Sequence, residues 1–282
     1  MGIIIDGNGL AKKINQETSD EVRALGCTPS LAIVLVGDNS DSKIYVDKKI
    51  KKSKELGMEP NLYKCDDDSG QAKILEVIDW LNNDNDIDGI LLQLPLPNDY
   101  DYDVDELISR ISPAKDLDRF HPKNIDPIIN TCDVSLMMPP VFGAVLEMLK
   151  SIDFELDGML TTVISNSEIF GGSMAKVLSC QGASVQLCSV DDPELREMSV
   201  TSDLLISAIG KPKFIDNSMV KDEAVVIDIG FTRENKKLHG DVDFEDVKDK
   251  VSYISPVPGG VGPLTVAMTL RNALELYKKS NE

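Results

Sequence analysis

The sequence predicts a two-domain α/β fold, and three observations predict it. Short apolar, β-branched runs recur at residues 31–36, 88–93, 160–164, 183–188, 203–208 and 224–229. Most are separated by stretches with the 3.6-residue apolar period of a helix, so strands alternate with helices. A helical crossover returns the chain to the same end of a sheet, so such strands pair in parallel. The alternation also breaks off once: Pro95, Pro97, Pro113, Pro122, Pro127, Pro139 and Pro140 stand among many Asp and Asn residues. That density of turn residues marks loops over a cleft.

In the first half, helices are expected at residues 45–56 and 74–81. The second carries Ile74, Leu75, Val77, Ile78 and Leu81 at helical spacing. With the strands at 31–36 and 88–93 they make a βαβαβ unit. A helix at 141–151 then leads into a second α/β unit of about a hundred residues, an ordinary domain size, which looks like a dinucleotide-binding half. A last helix at 265–278 presents Val266, Leu270, Leu274 and Tyr277 as an apolar stripe that would pack back on the first domain. The expected boundaries are 1–140 with 265–282 for one domain and 141–264 for the other.

Composition narrows the function. The 282 residues are 42% hydrophobic, enough to bury a sizeable core, and the formal net charge is −19. No basic run interrupts this acidity, so nucleic acid and anionic membranes are repelled and neither is an expected partner. No segment approaches the ~20 apolar residues of a membrane span, and nothing at the start reads as an export signal. A cytoplasmic protein is expected. The five cysteines, Cys27, Cys65, Cys132, Cys180 and Cys188, are scattered, without zinc-like spacing to His121 or His239. Reduced thiols and no metal are the expectation.

Four segments carry chemistry. If residues 42–49 are helical, Tyr45 and Lys49 share a face and aim a phenol and an amine into one space; the alternative is a solvated lysine cluster. Gln93-Leu94-Pro95-Leu96-Pro97 follows the apolar Ile90-Leu91-Leu92, which places the Gln93 amide at the carboxyl end of a strand, where parallel sheets bind ligands. The alternative is a polar strand end before a stiff proline turn. Residues 113–122 gather Lys115, Asp116, Asp118, Arg119 and His121 in a loop, functional or merely surface. Residues 255–265 hold three glycines and three prolines before a helix, which allows close backbone approach to a ligand and presents helix-terminal N–H groups.

Taken in order, Tyr45-Val46-x-x-Lys49, Gln93-Leu-Pro-Leu-Pro97, Lys115-Asp116-Leu-Asp118, Val226-Ile-Asp-Ile-Gly230, Gly240-Asp-Val-Asp243 and Pro256-Val-Pro-Gly-Gly-Val-Gly-Pro263 resemble the bifunctional methylenetetrahydrofolate dehydrogenase/methenyltetrahydrofolate cyclohydrolase family, over essentially the whole chain. The resemblance implies a folate-binding catalytic domain and a Rossmann-like NAD(P)-binding domain. It implies Lys49 as the central catalytic group, with Tyr45, Gln93 and Asp118 beside it. Tyr45, Val46, Gln93, Leu94, Pro95, Asp118, Pro258, Gly259 and Gly260 would contact a tetrahydrofolate substrate. Ser165, Asn166, Ser167, Gly171, Gly230 and Phe231 would hold NADP, or NAD. A homodimer is implied as well.

The chain also departs from the family pattern. Ser165 stands where a glycine is usual, Asn166 where an arginine is frequent, and Ser173 where a proline is common. Cys188-Ser189-Val190-Asp191-Asp192 replaces a His-Ser-Arg/Lys-Thr stretch that helps hold the 2′-phosphate of NADP, so NADP is expected to suffer more than NAD. Arg119 replaces a common glycine and would either clash or bind a polyglutamate tail. Met138-Pro139-Pro140-Val141 replaces the usual Pro-Cys-Thr-Pro. Two other readings follow: a cyclohydrolase with a decayed redox half, or a folate- or nucleotide-binding module without catalysis.

Overall fold

The computed structural model describes residues 2–66, 68–97, 100–234 and 237–281. Its elements begin with β1 (Ile3–Ile4) and α1 (Gly7–Leu25), followed by β2 (Ser30–Val36), α2 (Ser40–Glu55), β3 (Glu59–Cys65), α3 (Gly70–Asn83) and β4 (Gly89–Leu92). Next come α4 (Val104–Arg110), α5 (Pro122–Thr131) and α6 (Pro140–Ser151). The chain separates into two compact units, the first being Lys12–Asp126 with Met137–Pro140 and Val266–Glu282.

A three-stranded parallel sheet of order β3-β2-β4 forms the frame of that unit, with Ile33 opposite Leu62 on one side and Leu91 on the other. All seven residues of β2 are buried, the mark of a strand covered on both faces. On one face Leu31, Ile33 and Leu35 pack with Val46, Leu56, Leu91, Leu117 and, from the C-terminal helix, Leu270 and Leu274. On the other Ala32 and Val34 meet Ile74, Ile78 and Leu81 of α3 and Leu107 of α4. A buried side chain of this kind contributes roughly 1.5–3 kcal/mol, so these two layers fix the sheet on which the chemistry-bearing side chains stand.

The second unit comprises Met1–Ala11, Pro127–Leu136 and Val141–Thr265. Its elements continue as β5 (Leu160–Ser165), α7 (Glu168–Cys180), β6 (Ser184–Cys188), α8 (Leu195–Thr201), β7 (Leu204–Ala208) and β8 (Val225–Asp228). A hairpin, β9 (Thr232–Glu234) with β10 (Lys237–His239), is followed by α9 (Phe244–Val247), β11 (Tyr253–Ile254) and α10 (Val261–Ser280). Six parallel strands take the order β1-β11-β8-β7-β5-β6. From β5 the chain goes to β6 on one side and then to β7 on the other. That reversal is the switch point at which open parallel sheets bind ligands at their carboxyl ends.

Three features differ from the sequence expectation. The proline-rich stretch holds α4 and α5; Pro122 opens α5, where its missing N–H costs nothing. The edge strand β3 has no apolar run because its residues are only partly buried. The expectation of five reduced thiols is corrected: Cys132 and Cys180 form a disulfide with Cα atoms 5.1 Å apart, 48 residues apart in sequence. Only the fold brings them together, so spacing does not reveal the pair. Cys27, Cys65 and Cys188 are free. Among the described residues, no helix is long and apolar enough to cross a membrane.

Candidate active site

In the first unit α2 follows the carboxyl end of β2, and Tyr45 and Lys49 occupy one face of it, four residues apart. Val46 points the other way, into the core at 1% exposure, so it has only backbone to offer a ligand. The Lys49 Nζ donates to Gln93 Oε1 at 3.0 Å. Gln93 is itself buried at the end of β4, and its Nε2 donates to the Leu94 carbonyl at 2.5 Å. The amide orientation is thereby set, with its oxygen toward the ammonium. Leu94 and Pro95 follow in an exposed turn. The Lys48 Nζ lies 5.4 Å from the centroid of the Tyr45 ring, over its face, where the ring quadrupole attracts a cation.

Asp118 reaches the same cluster on a loop that β4 anchors. The Ile90 N–H donates to the Lys115 carbonyl at 2.6 Å, and the Leu117 N–H donates to the Ile90 carbonyl at 3.1 Å. A Cβ on Gly89 would stand 2.7 Å from the Leu117 side chain, so that glycine lets the loop lie against the strand. Lys49 and Asp118 keep some exposure as residues, but their charged ends are enclosed by protein. Burial therefore pulls the Lys49 ammonium below its usual range, and the Asp118 charge opposes that pull. Burial pushes the Asp118 carboxyl up to about 6; Lys49 lowers it and the neighbouring Asp116 raises it.

Asp116 is a residue that sequence reasoning left out of the site. It is 2% exposed; its Oδ1 accepts the Arg119 N–H at 2.9 Å and its Oδ2 accepts the His121 N–H at 2.9 Å and the Asn124 Nδ2 at 3.0 Å. Asn272 of α10 supports the loop too, donating from Nδ2 to the carbonyls of Leu117 and Met138, both at 3.1 Å. The alternate-residue spacing of Asp116 and Asp118 is a visible signal for the first; nothing local marks Asn272. Arg119 has a left-handed backbone, φ 60°, which explains why glycine suits the position. Its Nη1 turns back to the Pro113 carbonyl at 2.9 Å, so the loop accommodates the larger side chain.

The second unit carries the rest of the expected set. Ser165 ends β5 with its hydroxyl turned inward, accepting the Ser167 N–H at 3.1 Å. Ser167 caps α7, its side chain accepting the Phe170 N–H at 3.2 Å. A Cβ on Gly171 would lie 2.8 Å from Leu187 and 2.9 Å from Ser165, so the glycine lets α7 close on the sheet, as the last glycine of a dinucleotide-binding turn does. Asn166 Oδ1 accepts the Val190 N–H at 3.3 Å and ties the β5–α7 turn to the turn after β6.

Gly230 and the exposed Phe231 follow β8. Here Asp241 is fully buried and accepts from Ser207 Oγ and Ile209 N–H, both at 2.8 Å, and from Lys211 N–H at 3.0 Å. It thereby folds the loop after β7 at the carboxyl end of the sheet. Buried Asp228 accepts the Asp241 and Val242 N–H groups at 3.1 and 2.9 Å. Pro258, Gly259 and Gly260 precede α10; Gly259 has φ 109°, and its carbonyl accepts the Asn8 N–H at 3.1 Å. Lys49, Gln93 and Asp118 thus form one cluster, whereas Pro258, Gly259, Gly260 and the dinucleotide set belong to the other unit.

Comparison with known proteins also finds two domains, with bounds that differ from those of the two units at residues 5–11 and 266–281. Residues 5–118 match the tetrahydrofolate dehydrogenase/cyclohydrolase catalytic domain, and residues 139–281 match the NAD(P)-binding domain of the same family. The bifunctional protein FolD of Listeria innocua is 40% identical over 283 residues, covering 99% of this chain and 98% of that protein. The crystal structure of the Campylobacter jejuni FolD methylenetetrahydrofolate dehydrogenase/cyclohydrolase superposes with a TM-score of 0.91 at 36% identity, covering 99% of this chain and 100% of the other. The Trypanosoma brucei FolD, solved with NADP and an inhibitor, gives 0.93 at 30% identity, covering 100% and 99%. With both domains matched in order and relatives aligned from end to end, the chain belongs to the tetrahydrofolate dehydrogenase/cyclohydrolase family.

Proposed function

We propose that this chain oxidises 5,10-methylenetetrahydrofolate with NAD(P) and hydrolyses the resulting 5,10-methenyl compound to 10-formyltetrahydrofolate. The observation that carries the reading is the enclosed Lys49–Gln93 contact beside Asp118, in a chain whose relatives are bifunctional enzymes of this kind. Hydrolysis of a methenyl bridge adds water to an electrophilic carbon and then breaks one carbon–nitrogen bond. The added water gives up both its protons as its oxygen becomes the formyl carbonyl; one reaches the departing nitrogen and the other leaves to solvent, because the cationic bridge becomes a neutral formamide. An amine whose pKa burial has lowered is neutral often enough to take a proton from the water and, as ammonium, delivers it to the departing nitrogen.

In this scheme Gln93 holds the Lys49 nitrogen in place, Asp118 accepts hydrogen bonds from the pterin-like head, and Tyr45 stacks near it. Val46, Leu94 and Pro95 would line the folate. Ser165, Asn166, Ser167, Gly171, Gly230 and Phe231 would hold the dinucleotide. The close packing at Gly171 and the capped start of α7 fit such a group, which when bound supplies the hydride acceptor. The chain's own task there is orientation and exclusion of water.

The working unit in this reading is a cytoplasmic homodimer paired through the dinucleotide-binding domain. The edge strand β6, with Leu187 40% exposed on it and Ile169 of α7 44% exposed, supports an apolar face that a second copy would cover. A steady-state assay with 5,10-methylenetetrahydrofolate and NAD or NADP, run beside hydrolysis of 5,10-methenyltetrahydrofolate, tests the function. Turnover in both supports it; hydrolysis alone would leave a monofunctional cyclohydrolase, and silence in both a binding module.

A further inference from the structure

The parallel unit β5-α7-β6 is the part of such folds that receives the adenosine end of a dinucleotide, and the residues just past its second strand meet the ribose. Those residues here are Ser189, Val190, Asp191 and Asp192, and the chain has no Lys or Arg between Lys176 and Arg196. The turn is fixed rather than loose. Val190 donates to Asn166 of the first β–α turn at 3.3 Å, and the Asp192 N–H donates to the Ser189 carbonyl at 3.3 Å. The Asp192 Oδ1 is taken by the Glu194 N–H at 2.9 Å, so that carboxylate organises the turn. Asp191 beside it is exposed, and among the described residues nothing donates to its carboxylate.

Resting on the reading of residues 139–281 as an NAD(P)-binding domain, we propose that Asp191 makes the chain select a dinucleotide whose adenosine ribose carries a free 2′-hydroxyl, namely NAD over NADP. An ionised carboxylate accepts from ribose hydroxyls, whereas a 2′-phosphate at the same place brings like charges together with no Lys or Arg in this stretch of the chain to offset them. The ligand site itself does not depend on the acids; they set which of two dinucleotides it takes. Asp192 adds negative charge at the same strand end, but its oxygen is already committed to the turn.

The test is equilibrium binding of NAD and NADP to the full-length wild type and to Asp191→Asn and Asp192→Asn, followed by titration calorimetry. Wild type is expected to bind NAD at least about tenfold more tightly than NADP, the size of one screened charge–charge contact near a surface. Asp191→Asn is expected to shrink that ratio about tenfold, mainly by improving NADP, and Asp192→Asn to change it less than about threefold. Equal thermal unfolding midpoints for the three proteins would confirm that they are folded alike. A wild-type preference for NADP, an unchanged ratio in Asp191→Asn, or a full shift in Asp192→Asn would overturn the assignment while the domain's general role stood. Binding of neither nucleotide to folded wild type would overturn both.

Discussion

The Lys49 Nζ lies 3.0 Å from Gln93 Oε1, and the two side chains come from α2 and the end of β4, 44 residues apart. The sheet register, not local sequence, makes this contact. An acceptor facing an ammonium favours its charged form, while burial of the same ammonium favours the neutral one. Lys49 is thus held between two protonation states, which is what a group that takes and returns a proton requires. Lys49→Ala is expected to lower methenyltetrahydrofolate hydrolysis by about 10²–10⁴-fold, the usual worth of a positioned acid–base group, while folate binding survives. Gln93→Leu removes a bond to a charge and is expected to cost roughly 10–100-fold, with the acidic limb of the kcat–pH profile moving to lower pH. Near-normal hydrolysis by Lys49→Ala would remove Lys49 from the mechanism.

Asp118 gives a pH dependence with a definite sign. Its carboxyl is pushed up to about 6, chiefly by burial, so the carboxylate is complete above that pH and is lost as pH falls through it. If the carboxylate accepts from the pterin-like head, KM for the folate is expected to rise as pH drops from 7 to 5, and Asp118→Asn is expected to flatten that rise. Stability runs the opposite way. A carboxyl whose folded pKa lies above the unfolded one favours the fold at low pH and gives that up as pH climbs through about 6. A carboxyl pushed up to about 6 from its ordinary range costs at most about 3 kcal/mol once it is charged, so Asp118→Asn is expected to unfold at higher temperature than wild type at pH 8 but not at pH 4. Parallel melts at both pH values measure it.

These expectations also show what the sequence holds openly. The apolar runs of β2, β4, β5, β7 and β8 are buried on both faces, so they read directly as parallel strands. β3 escapes because Glu59, Pro60 and Asn61 lie at a partly exposed sheet edge. Lys49 and Gln93 are visible as motif residues; their contact is implied by the family resemblance and by no local pattern, since it depends on the register of β2 against β4. Asp116 shows itself only by its alternate-residue spacing with Asp118, because the backbone N–H groups of Arg119 and His121 that it holds leave no mark in residue types. Arg119 conceals its left-handed turn because only glycine would have advertised it.

Gly230 and Gly240 are explained by the two buried aspartates. A Cβ on Gly230 would stand 2.0 Å from Asp241 Oδ2, and one on Gly240 would stand 2.0 Å from Asp228 Oδ2. Asp241 cannot yield without releasing Ser207, Ile209 and Lys211. Gly230→Ala is therefore expected to cost about 1–3 kcal/mol of stability, the range for overpacking a rigid site, and to weaken dinucleotide binding by displacing the loop after β7. Gly172→Ala is the control. It lies within α7 with nothing within 4 Å of the added carbon, and the exchange is expected to stabilise the protein by up to about 1 kcal/mol. Denaturant unfolding and a nucleotide titration on each variant separate the two outcomes.

The Cys132–Cys180 disulfide closes a loop spanning 48 residues between the segment after α5 and the C-terminal end of α7. Cross-linking that span restricts the unfolded chain, and loop-closure entropy sets a ceiling of about 4 kcal/mol on the stabilisation. Cys132 is exposed, so a dithiol reductant has access to the bond. Thiol titration of the unfolded protein is expected to find three thiols, those of Cys27, Cys65 and Cys188, without reductant, and five after reduction. Reduction, or Cys132→Ser, is expected to lower the thermal midpoint and leave the Lys49 chemistry untouched, because neither cysteine belongs to the Lys49, Gln93 and Asp118 cluster. Five thiols in protein isolated with thiols trapped at lysis, together with a midpoint that reductant does not move, would overturn the disulfide.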